Sequence, residues 1–137
     1  MRKESAVIIE INTLSDSPIY EQLRDQVVLG IASKRLAPGE ALPSVRRLAA
    51  DLGINFHTVN KGYTMLCDEG YIVMDRRKGA VVAESIKNEK EFLSRLSERL
   101  LLFAAEAVCR AMPQKEFIAL CVSRYQSALG KKEDGGI

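Results

Sequence analysis

The sequence is poor in the side chains that catalysis and metal binding need. It has one histidine, His57, and three cysteines, Cys67, Cys109 and Cys121. No nucleophile or carboxylate pair lies near His57 in sequence. A catalytic base needs a nucleophile and an orienting group converging on it, so the chain reads as a non-enzyme. None of the cysteines stands in a C-x-x-C or Cys/His spacing, so neither a zinc site nor any other cofactor is expected. An odd number of cysteines in a chain without a secretory leader suggests reduced core thiols in the cytoplasm. Long apolar runs are missing too. The start M-R-K-E-S-A-V-I-I-E is too short in apolar residues for a signal peptide. The longest greasy run, Leu100 to Ala105, is far short of the roughly 20 residues that span a bilayer. The reading is a soluble intracellular protein without a membrane partner. Excess charge is also absent: the formal net charge is +2, too small to imply a polyanionic partner by itself.

What is present has more to say. The 137 residues allow one small domain and an appendage, and 47% apolar residues are enough for a core. Charge is unevenly placed. From Lys34 to Ala83 there are eight Lys/Arg against five Asp/Glu, a local +3 in a slightly acidic remainder. Local charge matters more than the total for recognising an anionic partner.

The centre of the chain is Leu42 to Gly70. Val45, Leu48, Ala49 and Leu52 fall at i, i+3, i+4 and i+7, one face of a helix. Ser44 can cap that helix with its hydroxyl, and Gly53 can take the left-handed conformation that ends it. Asn55 can cap a second helix, whose residues Val59, Tyr63 and Leu66 share a face before Gly70. Two short helices joined by a tight glycine turn form a helix-turn-helix. In the DNA-binding version the second helix enters the major groove and its N-terminal residues meet base edges. Phe56, His57, Thr58, Asn60, Lys61 and Thr64 lie off the apolar stripe or at its start. Asn suits adenine, Lys guanine or phosphate, and Thr a phosphate or a thymine methyl. An ordinary helical hairpin with a solvated polar face is the alternative for this stretch.

The next residues favour the first reading. Tyr71 to Asp75 and Ala80 to Ala83 are short β-prone runs around Arg76-Arg77-Lys78-Gly79, a basic turn with a glycine. Helix, helix, basic hairpin is the order of a winged helix. Its tip would approach the sugar-phosphate backbone or a minor groove.

L-P-S-V-R-R-L-A, T-V-N-K-G-Y-x-x-L, E-G-Y-I and the R-R-K-G wing together resemble the DNA-binding domain of GntR-family bacterial transcription regulators. The resemblance begins at Ser17-Pro18-Ile19-Tyr20-Glu21-Gln22-Leu23, passes through Leu36-Ala37-Pro38-Gly39-Glu40 and covers about Ser17 to Val82. Asn60-Lys61-Gly62-Tyr63 and the short C-terminal region look most like the YtrA-like subfamily. The resemblance implies sequence-specific binding of double-stranded DNA, in a regulator expected to repress. Carried over by motif, it places Arg46, the helix start Asn55, Phe56, His57 and Thr58, then Asn60, and the wing tip Arg77, Lys78 and Gly79 at DNA; Ser44, Arg47, Lys61 and Arg76 beside them complete the expected DNA-binding set. Many relatives carry arginine where this chain has Phe56 or Asn60, so the operator sequence does not transfer. A winged-helix protein-interaction module that binds no DNA is the rival class.

Around this centre, Ala6 to Ile11 reads as a short strand. Pro18 suits a first helical turn, and Ile19, Leu23, Val27 and Ile31 define the buried face of a helix to about Lys34. Tyr20 and Arg24 could face solvent or a partner. After the wing, Ile86 to Ala111 reads as one long helix. Leu93, Leu96, Leu100, Phe103 and Ala107 form a seam of alternating three- and four-residue spacing. Leu101, Leu102, Ala104, Ala105 and Val108 widen it, and a helix apolar nearly all round must be covered on several sides. Pro113 restarts a helix to Gly130, with Phe117, Ile118, Cys121, Tyr125 and Leu129 on one face. Two helices cannot bury so much surface alone. A homodimer is expected through the seam together with Phe117, Cys121 and Tyr125; packing back on the winged domain is the alternative. The fold class is thus mainly α with a small β wing, a winged helix-turn-helix followed by a two-helix dimerisation appendage. Its expected divisions are 1–84, 85–130 and a disordered tail, 131–137. The appendage is too small for a large effector domain, so a small-molecule effector is doubtful.

Overall fold

In the computed structural model, residues 9–87 and 89–131 are described. The chain falls into two compact units, Met1–Ile86 and Lys87–Ile137.

The first unit is built from α1 (Ile19–Ala32), α2 (Val45–Leu52), α3 (Phe56–Asp68), β1 (Ile72–Asp75) and β2 (Gly79–Val82). The apolar stripes point where their spacing requires. Leu23 and Val27 of α1, Leu48 and Ala49 of α2, and Val59, Tyr63 and Leu66 of α3 are buried in one core with Ile72 and Val82. Ile19 and Ile31, at the ends of the α1 stripe, are half-buried. β1 and β2 pair antiparallel from Ile72↔Val82 to Asp75↔Gly79.

A third, strand-like segment was not anticipated. Ala41 bridges Val81, the Leu42 amide donates to the Ala80 carbonyl (2.8 Å) and the Val82 amide to the Glu40 carbonyl (2.9 Å). Pro38-Gly39 reads as a break, and Pro43 leaves too few residues for a recognisable strand pattern. The run instead covers the open edge of β2 and joins the wing to the chain entering α2.

Both capping expectations hold. The Ser44 hydroxyl accepts from the Arg47 amide (3.1 Å), and Asn55 Oδ1 accepts from the His57 amide (2.7 Å). Gly53 has φ +66°, and the Ile54 amide returns to the Ala49 carbonyl (3.0 Å), closing α2 tightly enough for α3 to start at once. The Tyr63 hydroxyl donates to the Pro43 carbonyl (2.7 Å), which ties α3 to the residue before the α2 cap.

Several boundaries differ from expectation. Pro18 is the N-cap of α1, outside its first turn. The helix ends at Ala32 because Lys34 takes φ +64°, so the stop carries no glycine to announce it. In the second unit, α4 (Glu89–Cys109) begins later than Ile86, with Glu89 and Glu91 at its positively polarised end. It stops before Ala111, which is left-handed (φ +59°) while the Met112 amide returns to the Ala107 carbonyl (3.0 Å). α5 (Gln114–Ala128) follows Pro113 as expected.

The expected strand from Ala6 to Ile11 is not formed over residues 9–11, and its start lies outside the described residues. Its hydrogen bonds go to side chains of α1. The Glu10 amide donates to Gln26 Oε1 and the Asn12 amide to Gln22 Oε1, each at 2.8 Å. Gln22 Nε2 donates back to the Asn12 carbonyl (3.0 Å), and Gln26 Nε2 to that of Glu10. Two glutamines one helical turn apart therefore do the work of a partner strand. Of the expected disordered tail, all but Lys131 lies outside the described residues.

No residue of α4 or α5 is buried. Leu93, Leu100, Leu101, Phe103, Val108 and Tyr125 are all exposed. Cys109 and Cys121 are exposed free thiols as well, which corrects their assignment to a core. Their helices are apolar in sequence but have no cover within this unit. Cys67 is half-buried on α3, and burial, with Asp68 adding, pushes its thiol up. No described helix is long and apolar enough to cross a membrane.

Candidate nucleic-acid interface

With Val59, Gly62, Tyr63 and Leu66 turned to the core, α3 leaves Phe56, His57, Asn60, Lys61 and Thr64 exposed on its other side. Phe56 and His57 meet edge to face, with ring centroids 5.7 Å apart. Thr58 is half-buried. Thr64 Oγ1 donates to the Asn60 backbone carbonyl (2.8 Å), a bond within its own helix, and Asn60 itself is exposed. Asn55 is exposed, but its carbonyl oxygen is occupied by the cap; its NH2 is the donor it can still offer. Ser44 likewise uses its oxygen as an acceptor and keeps its O–H for another group.

Arg46 and Arg47 are exposed on α2. Arg47 Nε lies 3.8 Å from Asp51 Oδ2 one turn on, a surface ion pair within α2. Arg24, left open between solvent and a partner, is engaged inside the unit. Its Nε and Nη2 donate to Glu69 Oε2 (2.9 and 2.6 Å), Nη1 donates to Asp25 (2.9 Å), and its guanidinium lies over the Tyr71 ring. This fastens the C-terminal end of α3 to α1. Tyr20 lies under Lys61, whose Nζ is 4.0 Å from the ring centroid.

The wing presents Arg76, Arg77, Lys78 and Gly79, all exposed, with Gly79 at φ +76°. Its shape is set by a residue that charge counting passes over. Asp75 Oδ1 accepts from the amides of Arg77 (2.8 Å) and Lys78 (2.9 Å), folding the turn around one carboxylate. An aspartate at the head of a tight turn is the signal that could have found it. The bonds from Lys78 and Arg77 hold this carboxyl below its ordinary value of 3.8. A folded value below the unfolded one means the turn gains from the carboxylate at neutral pH. That gain should vanish as pH falls through the depressed value. Followed by NMR, the Arg77 and Lys78 amide resonances should move together with a midpoint below 3.8. A midpoint at or above it would mean the brace is not formed in solution.

Caps, an outward polar face on α3 and a braced basic hairpin suit contact with duplex DNA: donors for base edges in one groove, cations for the backbone beside it. Comparison with known proteins agrees. The family described as "Bacterial regulatory proteins, gntR family" matches residues 19–82. The HTH-type transcriptional regulator YhcF of Bacillus subtilis (strain 168) is 32% identical over 87 residues, 64% of this chain and 72% of that protein. The HTH-type transcriptional repressor YtrA of the same organism is 39% identical over 80 residues, 58% of this chain and 62% of that one. Among solved structures, a transcriptional antiterminator from Listeria monocytogenes EGD-e superposes with a TM-score of 0.83 at 26% identity, covering 94% of this chain and 98% of that one. YtrA from Sulfolobus acidocaldarius, a GntR-family transcription factor, gives 0.60 at 41% identity, covering 73% and 98%. The chain belongs to the gntR family of bacterial regulatory proteins, as a YtrA-like, DNA-binding winged-helix transcription regulator.

Proposed function

We propose that this regulator is a repressor that binds an inverted-repeat operator as a homodimer. The observation that carries the DNA reading is the division of α3. Its apolar residues are buried, while Phe56, His57, Asn60 and Lys61 stand exposed, and the same unit carries the braced basic wing. In this reading α3 enters the major groove, Asn60 and His57 meet base edges, and Ser44, Arg46, Arg47 and the wing hold phosphates. Dimerisation is supported by the two appended helices, which have no buried residue and expose Leu93, Leu96, Leu100, Phe103 and Tyr125. Ala107 and Phe117 on the same helices are half-buried, and Cys121 is exposed. Twofold pairing would set two α3 helices at half-sites about 34–36 Å apart, or a multiple of that spacing. Repression is supported by the similarity to the HTH-type transcriptional repressor YtrA of B. subtilis. In this reading the protein works without catalysis, in the cytoplasm.

A salt-dependent gel shift on the DNA upstream of its own gene tests this, with a reporter assay for repression. Asn60→Ala and His57→Ala should each weaken operator binding by about 1–3 kcal/mol and change random-duplex binding little. Equal losses on both duplexes would move these residues to the phosphate class. Arg77→Ala and Lys78→Ala should weaken binding to every duplex and lower the salt slope by about one each. No shift on any duplex would favour a protein-interaction module instead.

A further inference from the structure

Gly62 is buried where α3 meets the first turns of α1. A Cβ built there would lie 2.8 Å from Leu23 Cδ2 and 3.2 Å from the Tyr20 carbonyl oxygen. The missing side chain lets α1 lie directly against α3. That approach carries the Tyr20 ring beneath the neighbouring residue, Lys61, whose Nζ sits 4.0 Å from the ring centroid. Lys61 is exposed, and among the described residues no salt bridge holds it. The ring face therefore steadies an ammonium that still has its charge to offer an anion. A free lysine has a long flexible stem and loses much rotamer freedom when fixed on a phosphate. A cation resting on a tyrosine face has lost part of that freedom beforehand, and the attraction to the ring offsets the cost.

We propose that Tyr20 is a positioning residue for DNA recognition: its ring, brought against α3 by Gly62, holds the Lys61 ammonium ready for a backbone phosphate. This rests on the reading of α3 as the DNA-facing helix. Tyr20 itself belongs to α1 and takes no part in base readout. The ring acts only through the lysine, so once Lys61 is lost, losing the ring as well should cost no further affinity.

Four full-length variants test this: Tyr20→Leu, Tyr20→Phe, Lys61→Gln and the double variant Tyr20→Leu/Lys61→Gln. Each is titrated across salt concentrations against a duplex that the wild-type chain selects from a random-sequence library, and against a scrambled duplex. Thermal unfolding of each variant corrects for any unfolded fraction. Tyr20→Leu should weaken binding to both duplexes about two- to fivefold, the size expected for an exposed cation–π contact. It should leave the salt slope unchanged, because the lysine is still present. Lys61→Gln should lower the slope by about one. Tyr20→Phe, which keeps the ring face, should bind like wild type, and the double variant should bind like Lys61→Gln alone. Tighter or unchanged binding by Tyr20→Leu overturns the proposal. So does an equal loss from Tyr20→Leu with and without Lys61, which would make the ring merely structural. Lys61→Gln without effect on affinity or slope would remove Lys61 from the interface and the proposal with it. A wild-type chain that selects no duplex would instead defeat the DNA reading as a whole.

Discussion

Replacing Leu100 by aspartate should prevent the proposed dimer from forming and remove most operator affinity, although every side chain proposed to face DNA stays in place. Leu100 lies in the middle of the α4 seam and is 41% exposed in the isolated chain. A carboxylate there meets water in a monomer, and a surface substitution of that kind usually changes stability by no more than about 0.5 kcal/mol. In the proposed dimer the same carboxylate would be enclosed without a partner, at a cost of several kcal/mol for each copy, by about the measure of a buried unpaired polar group. Each 1.4 kcal/mol is about tenfold in a binding constant, so dissociation at micromolar concentration is expected. A monomer reads one half-site and loses the second. Sedimentation, circular dichroism and operator titration follow the three parts of the expectation. A wild-type chain that sediments as a monomer, or a folded Leu100→Asp variant that stays dimeric, would sink the proposed interface.

The second large effect belongs to the winged unit itself. Leu23→Ala should cost about 2–5 kcal/mol of unfolding free energy, the range for deleting a buried leucine side chain. Leu23 is fully buried, and its Cδ2 is the atom nearest to where a side chain at Gly62 would begin. With no side chain on Gly62, little on that side can move in to fill the space, which places the cost toward the upper part of the range. Small domains hold about 5–15 kcal/mol in all, so the variant would lose a large share of its margin. Urea unfolding should show a lower midpoint. Leu29→Ala, on the same helix but 49% exposed, should lower the unfolding free energy by no more than about 0.5 kcal/mol. Equal shifts would mean that the contact between α1 and α3 is not the centre of this core.

Much of this arrangement is legible in the residues. The stripes of α1, α2 and α3, the Ser44 and Asn55 caps, the Gly53 turn and the basic hairpin all follow from spacing and local chemistry, and all are present in the fold. The missed features share a cause: the signal is carried by a residue type that normally means something else. Lys34 and Ala111 end helices in a conformation that usually calls for glycine, so both helices read too long. Residues 39–42 pair with β2 in a run bounded by Pro38 and Pro43, too short to show alternation. Asp75 counts as negative charge in a basic hairpin, yet it shapes the turn that presents the positive charges. Tyr20 and Arg24 look like surface residues from spacing. Their partners, Lys61 on α3 and Glu69 at its C-cap, lie far along the chain, and no local pattern announces such pairs. Exposure of the α4 seam was legible as an excess of apolar residues, more than its own unit buries.

The glutamine clasp on the N-terminal segment gives that segment an address that an ordinary strand lacks. A backbone ladder accepts any sequence in any register. Here, two side-chain amides one turn apart bind residues 10 and 12 at both amide and carbonyl. A slip by one residue would turn the bonding groups away from the glutamines. A slip by two would preserve the bonds but draw Ile9 out of the core cluster it enters. The edge facing α1 is therefore closed to a foreign strand by groups that a foreign strand cannot displace without first breaking paired amide bonds. Changing Gln22 or Gln26 to glutamate would replace a donor by a second acceptor facing a carbonyl, and so reopen that edge to mispairing.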